Sequence, residues 1–153
     1  MTHHAVRIHE HGGPEVLSYE AVDVPEPGPG EVRLAHTAVG LNYIDVYHRT
    51  GLYPVPELPC TLGLEAAGTV AAVGPDVTAV SPGDRVAYAA PPLGAYADAR
   101  IMPADRVVPL PAGISDRQAA GMMLQGMTVE YLIRRVYPVR PGTPVLFHAA
   151  AGG

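Results

Sequence analysis

Prolines and glycines cut this chain into short pieces as far as residue 111. There are 17 of each in 153 residues. Proline removes a backbone donor and glycine weakens regular elements, so long helices and long uninterrupted strands are excluded from this stretch. Ala5 to His9 alternates as a first strand, and His11-Gly12-Gly13-Pro14 is a turn. Leu17 to Val24 reads as a second strand, which Pro25-Glu26-Pro27-Gly28-Pro29-Gly30 ends because three prolines cannot donate to a ladder. Glu31 to Gly40 alternates again as a third strand. The turn Ser81-Pro82-Gly83-Asp84 precedes a strand from Arg85 to Ala90, and Gly94 to Met102 and Arg106 to Leu110 read as two more. Many short strands between such turns predict a compact, barrel-like β domain.

Two places change period. Tyr43, Val46 and Tyr47 fall at i, i+3 and i+4, which suits a short helix capped by Asn42 and ended by Gly51. Leu52 to Pro59 is then a proline-broken loop. After Pro111, Ser115-Asp116-Arg117-Gln118 has the spacing of a capping box, and Ala119 to Leu124 continues its helix. Met127 to Val136 is a second helix, or the same one past a break at Gly126, with Met122, Met123 and Met127 read as core filler. Val145 to His148 has the apolar character of a buried strand. The small residues from Ala149 to Gly153 follow it as at the start of a dinucleotide-binding βα turn, without the further glycine and helix that complete one.

Composition removes several function classes. The formal charge of −5 and the charged fraction of 16% give no basic nucleic-acid surface and no acidic tail. All ten cationic side chains are arginine, so no lysine Schiff base can form within these residues. Cys60 stands alone, which excludes an internal disulfide and a cysteine-based structural zinc site. His9, His11 and His36 read as solvated, at separations that do not suggest a shared metal. No apolar run approaches membrane-spanning length. A cytoplasmic protein is expected, and the Lys-free, Ala-, Val-, Pro- and Arg-rich usage suggests a bacterial one.

The stretch from Gly63 to Val77 carries the most specific pattern, G-x-E-x2-G-x5-G-x2-V. Taken alone, it is a glycine-punctuated strand with an acid at its mouth. Glu65 is expected to be buried and paired with an arginine or with backbone amides, because carboxylates are rarely buried alone. The pattern also resembles the catalytic-domain signature of the medium-chain dehydrogenase/reductase superfamily. Other segments narrow the resemblance to its zinc-free quinone oxidoreductase branch, the ζ-crystallin-like enzymes. These are His11 to Leu17, Gly40 to Asp45 with Arg49 to Pro54, Leu124 to Thr128, and His148 to Gly153, all in the order of that branch.

The resemblance implies a mainly β fold with helices (α+β). Residues 1–111 would form a GroES-like barrel catalytic domain, and 112–153 the connecting helices and first strand of a Rossmann domain otherwise missing. It implies NADPH as cofactor and a quinone as substrate, with reduction of α,β-unsaturated carbonyls as the alternative activity. A non-enzymatic GroES-like binding module is the alternative of another class. Asn42, Tyr53 and Gln125 would face the substrate. Asn42, Tyr47, Thr128, Gly152 and Gly153 would hold the cofactor. No metal is expected, because Asn42 and Leu64 stand where the zinc enzymes carry a ligating Cys and His, and an amide and an alkyl group cannot replace them. The chain is accordingly expected to be a fragment with little activity alone, from a homo-oligomeric, dimeric enzyme. Asn42 could equally serve only as a helix cap, Tyr47 and Tyr53 as half-buried aromatics, and Thr128 and Gln125 as structural residues.

Overall fold

The computed structural model describes residues 2–148. Eight strands form two antiparallel sheets. In the first, β1 (His3–Ile8) lies between β2 (Leu17–Val22) and the two-residue β4 (Cys60–Thr61). The second has the order β7-β3-β5-β6-β8, from β3 (Glu31–Gly40), β5 (Glu65–Val73), β6 (Arg85–Ala89), β7 (Ala99–Pro103) and β8 (Val108–Pro109). The sheets are joined where Val6 donates to the Tyr96 carbonyl and Ala5 bridges Ala97.

The five-stranded sheet is covered on both faces. On one, Val32, Leu34, Val70, Val86, Tyr88 and Met102 form the main core and are almost fully buried. Full burial of such a side chain is worth about 1.5 to 3 kcal/mol. On the other face, Ala67 and Ala87 meet Ala119 and Ala120 of α2 (Asp116–Ala120). Alanines on both sides let the helix lie close, which accounts for the run of small residues in β5. The expected capping box is present: Gln118 N donates to Ser115 Oγ, and Gln118 Oε1 accepts Ser115 N. Arg85 anchors the same helix end by donating to Asp116 and to the Ile114 carbonyl.

The glycine pattern has a steric cause at each position. Gly63 has φ +89°, and a Cβ there would strike the Tyr96 ring. At Gly68 a Cβ would run into the carbonyl oxygen of Ala35 on β3, and at Gly74 into that of Gly28. Gly40 pairs with Glu65 in the β3–β5 ladder, and a Cβ there would occupy the place of the Glu65 carboxylate.

Several expectations need correction. The strand expected from Gly94 is regular only over Ala99–Pro103, because Gly94 to Tyr96 bond instead to the turn at Leu62 and Gly63. The C-terminal helix breaks at Gly121 and Met122 rather than at Gly126, and α3 (Met123–Glu130) runs through Gly126 into a π-helical turn over Tyr131–Val136. Met122 and Met127 are about half exposed and are not core filler, while Met123 does pack beside Ala119. Val145 to His148 forms no strand, because no neighbouring strand takes up its backbone groups. His36 is half-buried rather than solvated.

Candidate functional site

The end of β3 delivers the chain to α1 (Tyr43–Thr50), and Asn42 sits at the N-cap with extended backbone. Asp45, in the first turn, accepts the Asn42 N–H at 2.9 Å and the Tyr96 hydroxyl at 2.6 Å on one carboxylate oxygen. Burial, and then Asp45, push the Tyr96 hydroxyl well above the usual tyrosine range. The cap is thus clamped from within the helix and from the loop that follows β6.

The Asn42 side chain is directed at Glu65. Its amide nitrogen donates to Glu65 Oε2 at 2.7 Å, and the backbone N–H of Leu124, at the start of α3, donates to Oε1 at 2.8 Å. Glu65 is 1% exposed and Asn42 8% exposed. A buried carboxylate without partners costs several kcal/mol, and here two neutral donors satisfy both oxygens. The backbone-amide half of the sequence expectation holds. The arginine alternative is not the one taken up: among the described residues no cation pairs with Glu65, and the second partner is Asn42.

Tyrosines lie along α1 and just after it. Tyr47 has its ring 5.3 Å from that of Tyr43 and 5.1 Å from that of Tyr53. Tyr53 N donates to the Tyr47 carbonyl, and Gly51, with φ +80°, turns the chain back to allow this. Tyr47 is half-buried and Tyr53 is 44% exposed, so the pair offers ring surface together with hydroxyl groups. On α3, Thr128 Oγ1 donates to the Leu124 carbonyl, which leaves its lone pairs free. Gln125 is exposed and follows Leu124 directly.

The structure therefore gathers Asn42, Tyr47 and Tyr53 around α1. Thr128 and Gln125 lie on α3, whose Leu124 N–H donates to the same Glu65 carboxylate as the Asn42 amide. Gly152 and Gly153 lie outside the described residues. The sequence reading missed Tyr96 and Asp45 as supports of Asn42, and it missed the identity of the group opposite Glu65. The register Gly40↔Glu65 would have exposed that group, but register is a tertiary fact. Leu64 is 8% exposed and apolar, and among the described residues no three His, Cys, Asp or Glu side chains gather as a metal site would require.

A β domain of this topology, with a buried acid holding an N-cap amide against a following helix, defines the class. The chain belongs to the alcohol dehydrogenase GroES-like domain family, whose model matches residues 28–112. Its relatives include quinone oxidoreductases and a 2-haloacrylate reductase. The quinone oxidoreductase of Pseudomonas aeruginosa is 53% identical over 148 residues, covering 97% of this chain and 46% of that relative. A 2-haloacrylate reductase from a Burkholderia species is 47% identical over 154 residues, with 97% and 46% covered. The crystal structure of Escherichia coli quinone oxidoreductase complexed with NADPH superposes with a TM-score of 0.96 at 47% identity, covering 98% of this chain and 46% of that one. The chain spans about half the length of the curated relatives it matches. Among the described residues no helix is long and apolar enough to cross a membrane.

Proposed function

We propose that the protein carrying this chain is an NADPH-dependent quinone oxidoreductase that works without a metal. In this reading residues 1–111 form its catalytic domain, and residues 112–153 lead into a nucleotide-binding domain. The reading is supported by two features of α1 and the chain just after it: an uncharged polar group, Asn42, held at the N-cap by Glu65, and the Tyr47–Tyr53 ring pair, groups that can hydrogen-bond and stack a flat, neutral ligand. The overall similarity to quinone oxidoreductases, 53% identity over 148 residues to that of Pseudomonas aeruginosa, supports it.

The residues fit a nicotinamide. The Asn42 amide is held at the cap, and the Thr128 hydroxyl keeps free lone pairs. NADPH, when bound, supplies a hydride as the reducing equivalent. Asn42, Tyr47 and Thr128 would hold and orient its nicotinamide ring. Tyr53 would stack on the quinone and offer its hydroxyl to a quinone oxygen, with Asn42 and Gln125 as further polar contacts. The phosphates fall to the segment containing Gly152 and Gly153.

Where zinc relatives hold a metal, the Leu64 side chain is buried and apolar and the Asn42 amide is bonded to Glu65. Quinones suit a site without a Lewis acid, because the aromatic product makes hydride acceptance favourable. The test is steady-state kinetics of the full-length protein. Tyr53→Ala should lower kcat/KM for a benzoquinone roughly tenfold, equivalent to about 1.4 kcal/mol of lost stacking and hydrogen bonding, with an unchanged melting temperature. Unaltered kinetics would remove Tyr53 from the site. The relation to a 2-haloacrylate reductase supports a second reading, reduction of α,β-unsaturated carbonyls. A substrate panel that includes 2-chloroacrylate separates the two by their kcat/KM values.

A further inference from the structure

We propose that Glu65 is the positioning residue of this site: its carboxylate sets the orientation of the Asn42 amide and holds the start of α3 against it. The inference rests on the NADPH reading given above. Glu65 is fully buried, yet its two oxygens reach two different elements, Asn42 at the N-cap of α1 and Leu124 N at the start of α3. It is hydrogen-bonded to Asn42, which the functional reading assigns to the cofactor, and to the first turn of α3, the helix that carries Thr128. The space it occupies is kept open by Gly40, its partner in the β3–β5 ladder, whose missing side chain leaves room for the carboxylate.

The chemistry of the two contacts makes the carboxylate specific. Both partners are N–H donors, and an ionised carboxylate is an acceptor on both oxygens. It can therefore satisfy both at once, and it admits only one orientation of the Asn42 amide, nitrogen inward. Glutamine at this position keeps the length and one acceptor oxygen, so the Leu124 amide stays bonded. Its NH2 then faces the Asn42 NH2, donor against donor. The Asn42 amide has to turn over or withdraw, and the group it presents to the cofactor changes while the helix remains anchored. Glu65 thus acts through Asn42, and a general packing role would not show that dependence.

The experiment is a double-mutant cycle in the full-length protein. NADPH dissociation constants are measured by nicotinamide fluorescence for wild type, Glu65→Gln, Asn42→Ala and the double variant. Glu65→Gln should weaken NADPH binding about tenfold in the wild-type background and less than twofold in the Asn42→Ala background. An equal effect in both backgrounds overturns the proposal. A second readout needs no cofactor: the Asn42 side-chain amide proton bonded to Glu65 should give a strongly downfield nitrogen-edited NMR signal that moves to the ordinary amide range in Glu65→Gln. If that signal is ordinary in the wild type, the positioning role fails. If wild type does not bind NADPH at all, the functional reading fails, and the NMR result alone decides the role of Glu65.

Discussion

The imidazole of His36 lies between the Ala97 carbonyl, which accepts from Nδ1 at 2.7 Å, and the Tyr88 hydroxyl, which lies 3.0 Å from Nε2. Nδ1 therefore carries the proton and Nε2 accepts. The Tyr88 hydroxyl in turn accepts from Arg100 Nη1 at 3.4 Å, and the Arg100 guanidinium stacks over its ring. Burial, assisted by the charge of Arg100 and opposed by the Ala97 carbonyl and by Asp98, lowers the His36 pKa from 6.5 to about 4. Because the folded value is depressed, the unfolded chain binds the extra proton between these limits. Stability from this residue is complete above about pH 6.5 and is lost as pH falls towards 4, by about 2 to 3 kcal/mol. Urea unfolding between pH 4.5 and 7.5 should show the stability gap between wild type and His36→Asn closing on the acid side. A gap that stays constant with pH would exclude this linkage. Nothing in the residues flanking His36 announces burial. The Ala97 and Tyr88 partners are 61 and 52 positions away, so the pairing exists only once β6 and β7 are in the sheet.

At the scale of elements, two glycines respond in opposite directions to one added methyl group. A Cβ on Gly68 meets the Ala35 carbonyl and the His36 Cα, both backbone atoms of the neighbouring strand that cannot swing aside. Gly68→Ala should destabilise by about 2 to 3 kcal/mol as β3 and β5 are forced apart. Gly126 lies inside α3 with nothing within 4 Å of its missing Cβ. There alanine should stabilise by about 0.5 to 1 kcal/mol through reduced freedom of the unfolded chain. Thermal melting of both variants checks the signs, and a neutral Gly68→Ala would refute the close approach of the two strands. The spacing of Gly63, Gly68 and Gly74 was visible in the sequence. Gly126, which looked like a helix break, is not one, because a single glycine weakens a helix without ending it.

Across the whole molecule, burial ends at Ala120. None of the described residues after it is buried, and Leu132, Ile133, Val136, Val145, Leu146 and Phe147 are each at least 42% exposed. The β domain with α2 is thus the cooperative unit of the described structure, and residues 121–148 have little packing to protect their backbone. In limited proteolysis of the 153-residue chain, trypsin should cut first after Arg134 and Arg135, while the bonds after Arg33, Arg85 and Arg100 resist. Early cleavage at Arg85 would show that the sheet is not the stable unit. The sequence reading took Met122 and Met127 as core filler and Val145 to His148 as a buried-type strand, since periodicity and hydropathy report what a segment can bury and not what covers it.

Local chemistry determined a good deal unaided. Proline and glycine placement divided the β region, the Ser115–Gln118 spacing started α2 where it begins, and Asn42 and Gly51 bounded α1, because turns, caps and positive φ depend on residues close in sequence. Asn42, Tyr47 and Tyr53 were proposed for the site through a family resemblance carried by short motifs. Tertiary structure alone decided which polar groups meet: Glu65 with Asn42 and the Leu124 amide, Tyr96 with Asp45, and His36 with Tyr88. Those pairs join residues 23 to 59 positions apart. Their partners are selected by strand register and by the need to satisfy buried polar atoms, and neither can be read from a residue's neighbours in the chain.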